Sequence, residues 1–159
     1  MRIKLFKNAT ALSAMLAIWA ATQPMAALAE NGIAKGDTSG KKIAFSNSYA
    51  GNSFRQVMIK SFEEMGAQAK KDHLIADVAV VSSNNSVTEQ AAQTQNLVLQ
   101  GYDAIIVLAG SDTALNGVVK DACNAGIVVV AFASGVTEPC AYRVDYDLDT
   151  YGKDRKSVV

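Results

Sequence analysis

From Lys41 onward the chain alternates short apolar runs with longer segments in which apolar residues return every three or four positions. Lys42 to Ser46 reads as a first strand. Phe54 to Lys71 then places Phe54, Val57, Met58, Phe62 and Met65 on one side at helical spacing, with Arg55, Lys60, Glu63, Glu64 and Lys70 mostly elsewhere. A sheet-packed amphipathic helix is expected there. Asp77 to Ser82 supplies a second strand, and Thr88 to Gln100 a second helix whose Ala91, Ala92, Leu97 and Val98 can pack inward, with Gly101 suited to its C-terminal end. Asp103 to Leu108 and Ile127 to Phe132 are nearly continuous apolar runs, as expected of parallel strands covered on both faces. Between them a third helix is expected, capped by Asp112 or Thr113 and ending near Asn124 to Gly126. Tyr142 to Asp145 is a last, shorter extended stretch. Strands alternating with helices in this way predict an α/β fold, a Rossmann-like parallel sheet flanked by helices.

The pattern before Lys41 is of another kind. Arg2, Lys4 and Lys7 precede an uncharged stretch from Ala9 to Ala29 that ends in Ala27-Leu28-Ala29, a small-x-small pattern. This is the layout of a cleavable secretory signal peptide, residues 1–29, and Thr22, Gln23 and Pro24 interrupt the run before it reaches the ~20 apolar residues of a spanning helix. Residues 30–40 are rich in Gly, Ser, Asp and Lys and read as a flexible leader. The domain is expected over 41–153, and 154–159 reads as a tail cut short.

Export changes the meaning of the charge and of the cysteines. Removing residues 1–29 takes three of the 15 basic residues and none of the 15 acidic ones, leaving 12 against 15 and a mildly acidic chain. No basic patch with interleaved aromatics stands out, so nucleic acid is not an expected partner. Cys123 and Cys140, the two cysteines present, could pair in an oxidising compartment, or could stay as two separate buried thiols. Pairing would stabilise the fold by roughly 3 kcal/mol in the loop-entropy account.

In open α/β sheets ligands bind beyond the carboxyl ends of the strands. The loops expected there are polar and aromatic: Asn47 to Arg55, Ser82 to Ser86, Ala109 to Asp112, and Ala133 to Glu138. Amides, hydroxyls, an Arg and aromatic faces suit a neutral polyhydroxylated ligand, whose hydroxyls both donate and accept while flat rings cover its CH faces. The plainer reading is that these Asn, Ser, Gly and Asp residues cap helices and make turns. Enzyme signals fail. No G-x-G-x-x-G follows the first strand, and Gly36 to Lys42 has the wrong spacing for a phosphate loop. His73 is the sole histidine and sits at an expected helix end, so neither a catalytic base nor a zinc site is expected. Asp145, Asp147 and Asp149 alternate as in a calcium loop but lack its Gly and terminal Glu. No cofactor or metal is expected.

The chain resembles the periplasmic sugar-binding proteins of ABC importers, the ribose-binding-protein-like family with the type I periplasmic binding fold. The likeness rests on Gly51-Asn52-Ser53-Phe54-Arg55 after strand one, and on Ser83-Asn84-Asn85 leading to Gln90 through Gln95. It continues in Gly101-Tyr102-Asp103-Ala104-Ile105-Ile106-Val107, Ser111-Asp112-Thr113-Ala114-Leu115 and Ala125-Gly126-Ile127-Val128-Val129-Val130, with Asp147 a few residues before Gly152. It runs from about Lys41 to Lys153 and covers the family's first lobe only. The resemblance implies two α/β lobes that close on a solute by a hinge, and a closed form read by a membrane permease. It makes Asn52, Phe54 and Arg55 candidates for ligand contact, with Asn84, Asn85, Ser111, Asp112, Ser134 and Asp147 along the same edge. Where the family places an Asp after the Phe of strand four, this chain has Ala133 and then Ser134, so the sugar-reading carboxylate is missing.

The expectation is therefore a monomeric, periplasmic substrate-binding lobe for a sugar or similar small polar solute, with an ABC permease as partner. Because the second lobe is not in this sequence, the chain is expected to be a truncated or frameshifted copy that binds weakly by itself. A ligand-sensing module for a chemoreceptor or kinase would use the same lobes. A secreted enzyme is the alternative of another class. Lactose-repressor-like regulators share the architecture, but the signal peptide and the missing DNA-binding helices set that branch aside.

Overall fold

The computed structural model describes residues 36–133 and 135–145; the expected signal segment, Ser134, Asp147 and the expected tail lie outside them. The order is β1 (Lys42–Asn47), α1 (Ser53–Lys71), β2 (Asp77–Ser82), α2 (Val87–Leu99), β3 (Ala104–Leu108), α3 (Asn116–Asn124), β4 (Val128–Phe132) and β5 (Tyr142–Val144). The strands form one sheet in the order β2-β1-β3-β4-β5, and every pairing is parallel. The fold is the expected α/β arrangement, a Rossmann-like parallel sheet flanked by helices. Chain direction across the sheet reverses after β2. With right-handed crossovers this puts α1 on one face and α2 and α3 on the other.

The core follows from that division. Alternate strand residues Ala44, Ile105, Val107, Val129 and Ala131 meet Leu97 of α2 and Leu115, Val119 and Ala122 at and in α3, all buried. On the other face Phe62 of α1 covers Phe45, the ring centroids lying 5.5 Å apart. An apolar cavity of about 230 Å³ remains there between Met58 and Phe62 and the sheet residues Phe45, Ile106, Val130 and Phe132. The Ile127 to Phe132 segment is thus not covered throughout, and Val128 is 47% exposed.

Helix ends obey local chemistry. Asn52 and Ser86 cap α1 and α2 through side-chain oxygens that accept from the Arg55 and Glu89 amides. All three helices stop in the same way: Leu74, Tyr102 and Ile127 donate back to Ala69, Leu97 and Ala122, while the preceding residue is left-handed. That residue is Gly101 after α2, as expected, and Gly126 after α3. After α1 it is His73 at φ 56°, so the lone histidine serves a helix terminus.

Three local expectations need correction. The sheet-facing side of α1 is Met58, Ile59, Phe62, Gly66 and Ala69, whereas Phe54, Val57 and Met65 are 61%, 64% and 74% exposed. The apolar arc of α1 is wider than its contact, and Gly66 decides the side, because a Cβ there would lie 2.7 Å from both Val78 methyls. In α2, Ala92 is exposed, and the buried positions are Gln90, Thr94 and Leu97. Third, α3 begins at Asn116 rather than after a cap at Asp112 or Thr113. Ser111 Oγ accepts from the Ala114 amide, so 111–114 form a turn ahead of the helix. The loop from β4 to β5 carries no helix in its described part. Its Cys140 is bonded to Cys123 of α3, and Thr38 Oγ1, inside the expected leader, donates to the Leu74 carbonyl.

Candidate functional site

Since every strand runs the same way, the loops after β1, β2, β3 and β4 leave one edge of the sheet. The direction reversal lies between β1 and β3, where flanking loops diverge and leave a crevice. The backbone there is knitted together. Ser48 N donates to Leu108 O, Ser83 N to Asn47 O, and Asn85 N to Ser48 O. Asn84 and Asn85 both take left-handed conformations, at φ 49° and 67°, which short amide side chains tolerate. Their exposed side chains stand beside the β1 loop.

Below these loops is a buried polar layer. Ser46, Asn47, Ser83 and Gln90 are fully buried and Thr94 nearly so. Gln90 Nε2 donates to Leu108 O, with longer contacts to Ser46, while its Oε1 accepts from the Gly110 amide at 3.0 Å. One side chain from α2 thus joins the ends of β1 and β3 to the next loop. Ser46 Oγ and Thr94 Oγ1 share a 2.9 Å hydrogen bond. Asn47 donates to Tyr49 O and Ser82 Oγ and accepts from Arg55 Nη1 at 2.8 Å. On the far side Asn116 and Thr137 exchange two hydrogen bonds, and the Thr137 amide also donates to Asp112 O, joining the loops after β3 and β4.

The expected site residues fall as follows. Asn52 is at the edge with its side chain used as the α1 cap, in agreement with the plainer reading. Phe54 is largely exposed on the first turn of α1, and Arg55 is half-buried and held by Asn47. Asn84, Asn85, Ser111 and Asp112 are on the same edge, Ser111 engaged in its turn. Ser134 and Asp147 lie outside the described residues. Asp145 pairs with Arg143 at 2.9 Å. Sequence reasoning gave no role to Asn47 and Thr137, though they lie in the expected edge loops, nor to Gln90 and Thr94 within the Gln90–Gln95 segment, and it missed Asn116. A signal existed for two of them: Gln90 and Thr94 occupy the inward stripe of α2 with Leu97, where an apolar residue is the default.

Groups with displaced pKa lie elsewhere. Hydrogen bonds from Lys41 Nζ and the Lys42 amide hold the Asp103 carboxyl below its ordinary range, and Lys70 with the Val78 amide does so for Asp77, both at the amino ends of the strands. Among the described residues no three His, Cys, Asp or Glu side chains gather as metal ligands. The carboxyl edge therefore offers amides, hydroxyls, aromatic faces and a guanidinium, which is binding chemistry for a polar solute.

Comparison with known proteins bears on this geometry. The sequence profile of the periplasmic binding protein domain matches residues 43–155. The D-xylose-binding periplasmic protein of Escherichia coli (strain K12) is 28% identical over 97 residues, 61% of this chain and 24% of that protein. A crystal structure of an ABC transporter solute binding protein from Thermobispora bispora superposes with a TM-score of 0.68 at 43% identity, covering 72% of this chain and 36% of that one. A periplasmic ribose ABC transporter structure from Conexibacter woesei gives 0.64 at 25% identity, covering 77% and 41%. The chain thus spans about a quarter of the curated relative and well under half of either solved chain.

Proposed function

Because the chain belongs to the periplasmic binding protein domain family, we propose that it is the first lobe of an ABC importer's substrate-binding protein, taking a sugar or similar small polar solute in the periplasm. The observation that carries this is the convergence of four polar loops on the carboxyl edge of one parallel sheet, over a buried amide and hydroxyl layer that fixes their spacing. A binder needs such preorganised donors and acceptors. A catalyst would need an acid–base pair or nucleophile with its activating partner at that edge, so we read the site as binding rather than catalytic. The names of the relatives point to pentoses as first ligands to try.

Residues 1–29 have the layout of an export signal, and the Cys123–Cys140 bond supports an oxidising destination. The permease partner follows from the same reading, as does a monomeric state. The lobe over residues 41–153, taken by itself, offers one wall of a cleft, and for this 159-residue chain alone a weak dissociation constant, on the order of 1 mM, is expected. Titrating D-xylose and D-ribose into the isotope-labelled chain tests this by amide shifts. Shifts confined to Ser48–Arg55, Ser83–Ser86 and Ala109–Asp112 are expected for at least one sugar. Unmoved edge residues with both sugars, or shifts centred on another surface, would overturn the proposal for these ligands, and tight binding would overturn the single-wall account.

A further inference from the structure

We infer that Asn47, absent from the set of expected contact residues, is the positioning residue of this edge: its buried carboxamide sets the Arg55 guanidinium and the Tyr49 loop together. The inference rests on the solute-binding reading for what these groups are positioned to meet, and on geometry alone for the positioning itself.

Asn47 is the last residue of β1 and is fully buried. Its Nδ2 donates in two directions, to Tyr49 O at 2.8 Å and Ser82 Oγ at 3.1 Å, and its Oδ1 accepts from Arg55 Nη1 at 2.8 Å. The partners dictate the amide's orientation. A carbonyl can only accept and a guanidinium can only donate, so a flipped amide would set oxygen against oxygen and N–H against N–H. Donors are needed on one side and an acceptor on the other. Asp lacks the donors, Leu lacks both, and Ser is too short to span the three partners.

The consequence reaches the surface through two groups. Arg55 lies on the first turn of α1, just past the Asn52 cap, and Asn47 holds one end of its guanidinium from beneath. Asn47 also pins the Tyr49 carbonyl, which directs the loop so that the phenol ring passes across Gly51. A Cβ at Gly51 would overlap that ring. Among the described residues no hydrogen bond is made by the Tyr49 hydroxyl. A half-buried aromatic with an available hydroxyl, the α1 cap and a guanidinium thus stand side by side, their spacing set by one amide. That is the combination a polyol needs, a flat face and polar groups at fixed separation.

The test uses the full chain with N47A and N47D. Side-chain nitrogen spectra report Arg55 directly: in the parent, restricted rotation should keep its Nη signals distinct. In N47A the Nη signal that faces position 47 should shift and exchange with water faster, whatever other contact the guanidinium keeps. In N47D, which keeps an acceptor and loses the donors, the Nη signals should stay distinct while amide exchange over Ser48–Gly51 accelerates at least tenfold. A residue with a merely structural role would lower the melting temperature in both variants without separating these two readouts. D-Xylose and D-ribose titrations supply the second arm. For whichever sugar binds, R55A should weaken it about tenfold and N47A by at least as much, because it also releases the Tyr49 loop, and the double variant should be no worse than N47A alone. Arg55 signals in N47A that match the parent would overturn the inference. So would additive losses in the double variant. If neither sugar binds the parent chain, the solute reading fails for these sugars, and the Arg55 signals still decide the positioning role. Should N47A not fold, N47D decides it through the loop, and unchanged Ser48–Gly51 exchange there counts against it.

Discussion

Among the described residues, the face of the sheet under α2 and α3 is closed, while the face under α1 is half open. On the closed face Ile105 and Val107 are fully buried against two helices. On the other, their chain neighbour Ile106 borders the 230 Å³ cavity with Val130 and Phe132, because α1 packs on β2 and meets β1 through Phe62 against Phe45. Sequence alone makes these positions look alike, since β3 and β4 are apolar at nearly every residue. Packing separates them. The same side chain should therefore matter to different degrees on the two faces, and that can be measured.

The largest effect is expected from truncating the closed face. Ile105→Ala removes a side chain enclosed on every side and should cost about 2–5 kcal/mol. Ile106→Ala enlarges a space that is already open and should cost only the reduced transfer term, about 1–2 kcal/mol. Urea midpoints of the two variants give the comparison directly. Equal losses would mean the α1 face is as well filled as the other.

Next in size is the Cys123–Cys140 bond, which fastens the helix-poor β4–β5 connection to α3 on the closed side and spans 17 positions. Replacing both cysteines by Ser should lower stability by roughly 3 kcal/mol in the chain-entropy account. The measurement is the urea midpoint of the double variant against the parent under oxidising conditions. A loss with β5 amides exchanging first would locate the bond's effect at this connection. No loss would show that the closed core holds the connection without it.

Enlarging side chains tests the same difference in the opposite sense. Val129→Leu inserts a methylene into filled space and should destabilise by about 1–3 kcal/mol, whereas Val130→Leu extends into the cavity and should change stability by under ~0.5 kcal/mol. Thermal melts of the pair suffice, and a reversed order would refute the assignment of faces.

These contrasts also explain what could be read in advance. The layering was legible because apolar periodicity changes between strands and helices, and because Gly101 and Gly126 mark two helix ends chemically. His73 carried no such mark, since histidine enters the left-handed region only when the surrounding turn holds it there. The sheet-facing side of α1 was misplaced because Phe54, Val57 and Met65 extend its apolar arc beyond the strip that touches the sheet. Contacts from other elements, Val78 against Gly66 and Phe45 against Phe62, show where that strip lies. At the site, the edge and several of its residues were legible from where strands end. The layer beneath was not. Asn47, Gln90 and Thr94 are residue types read as surface, and the partners that satisfy them when buried come from distant parts of the chain. The Ser111 turn delays α3 for a similar reason, as a short hydroxyl competes locally with the helix start.

The smallest effect concerns how each face is attached at its rim. The C-terminal end of α1 is joined to the sheet by Lys70 and Asp77 at 2.6 Å, and Lys41 pairs with Asp103 at 2.8 Å, all exposed or half-exposed. The Lys70 hydrogen bond, helped by the Val78 amide, lowers the Asp77 pKa below its usual 3.8, and Lys41 with the Lys42 amide does the same for Asp103. For a carboxyl with a depressed folded pKa, the unfolded chain takes up protons first as pH falls. Its stabilising contribution is thus complete above the usual value and is lost as pH drops through 3.8 toward the lower folded pKa. Lys41 has the opposite sign. Its pKa is raised above 10.5 by the Asp103 hydrogen bond, so its contribution persists below that and disappears as pH climbs through the raised value. Since α2 and α3 are held by apolar burial, acidification from pH 5 to 3 should lower amide protection, after correction for the slower intrinsic exchange in acid, at the Ala69–Val78 junction more than across α2 and α3. Asp77→Asn should remove most of that difference. A uniform loss of protection in all three helices would show instead that the rim ion pair contributes nothing to holding the α1 face.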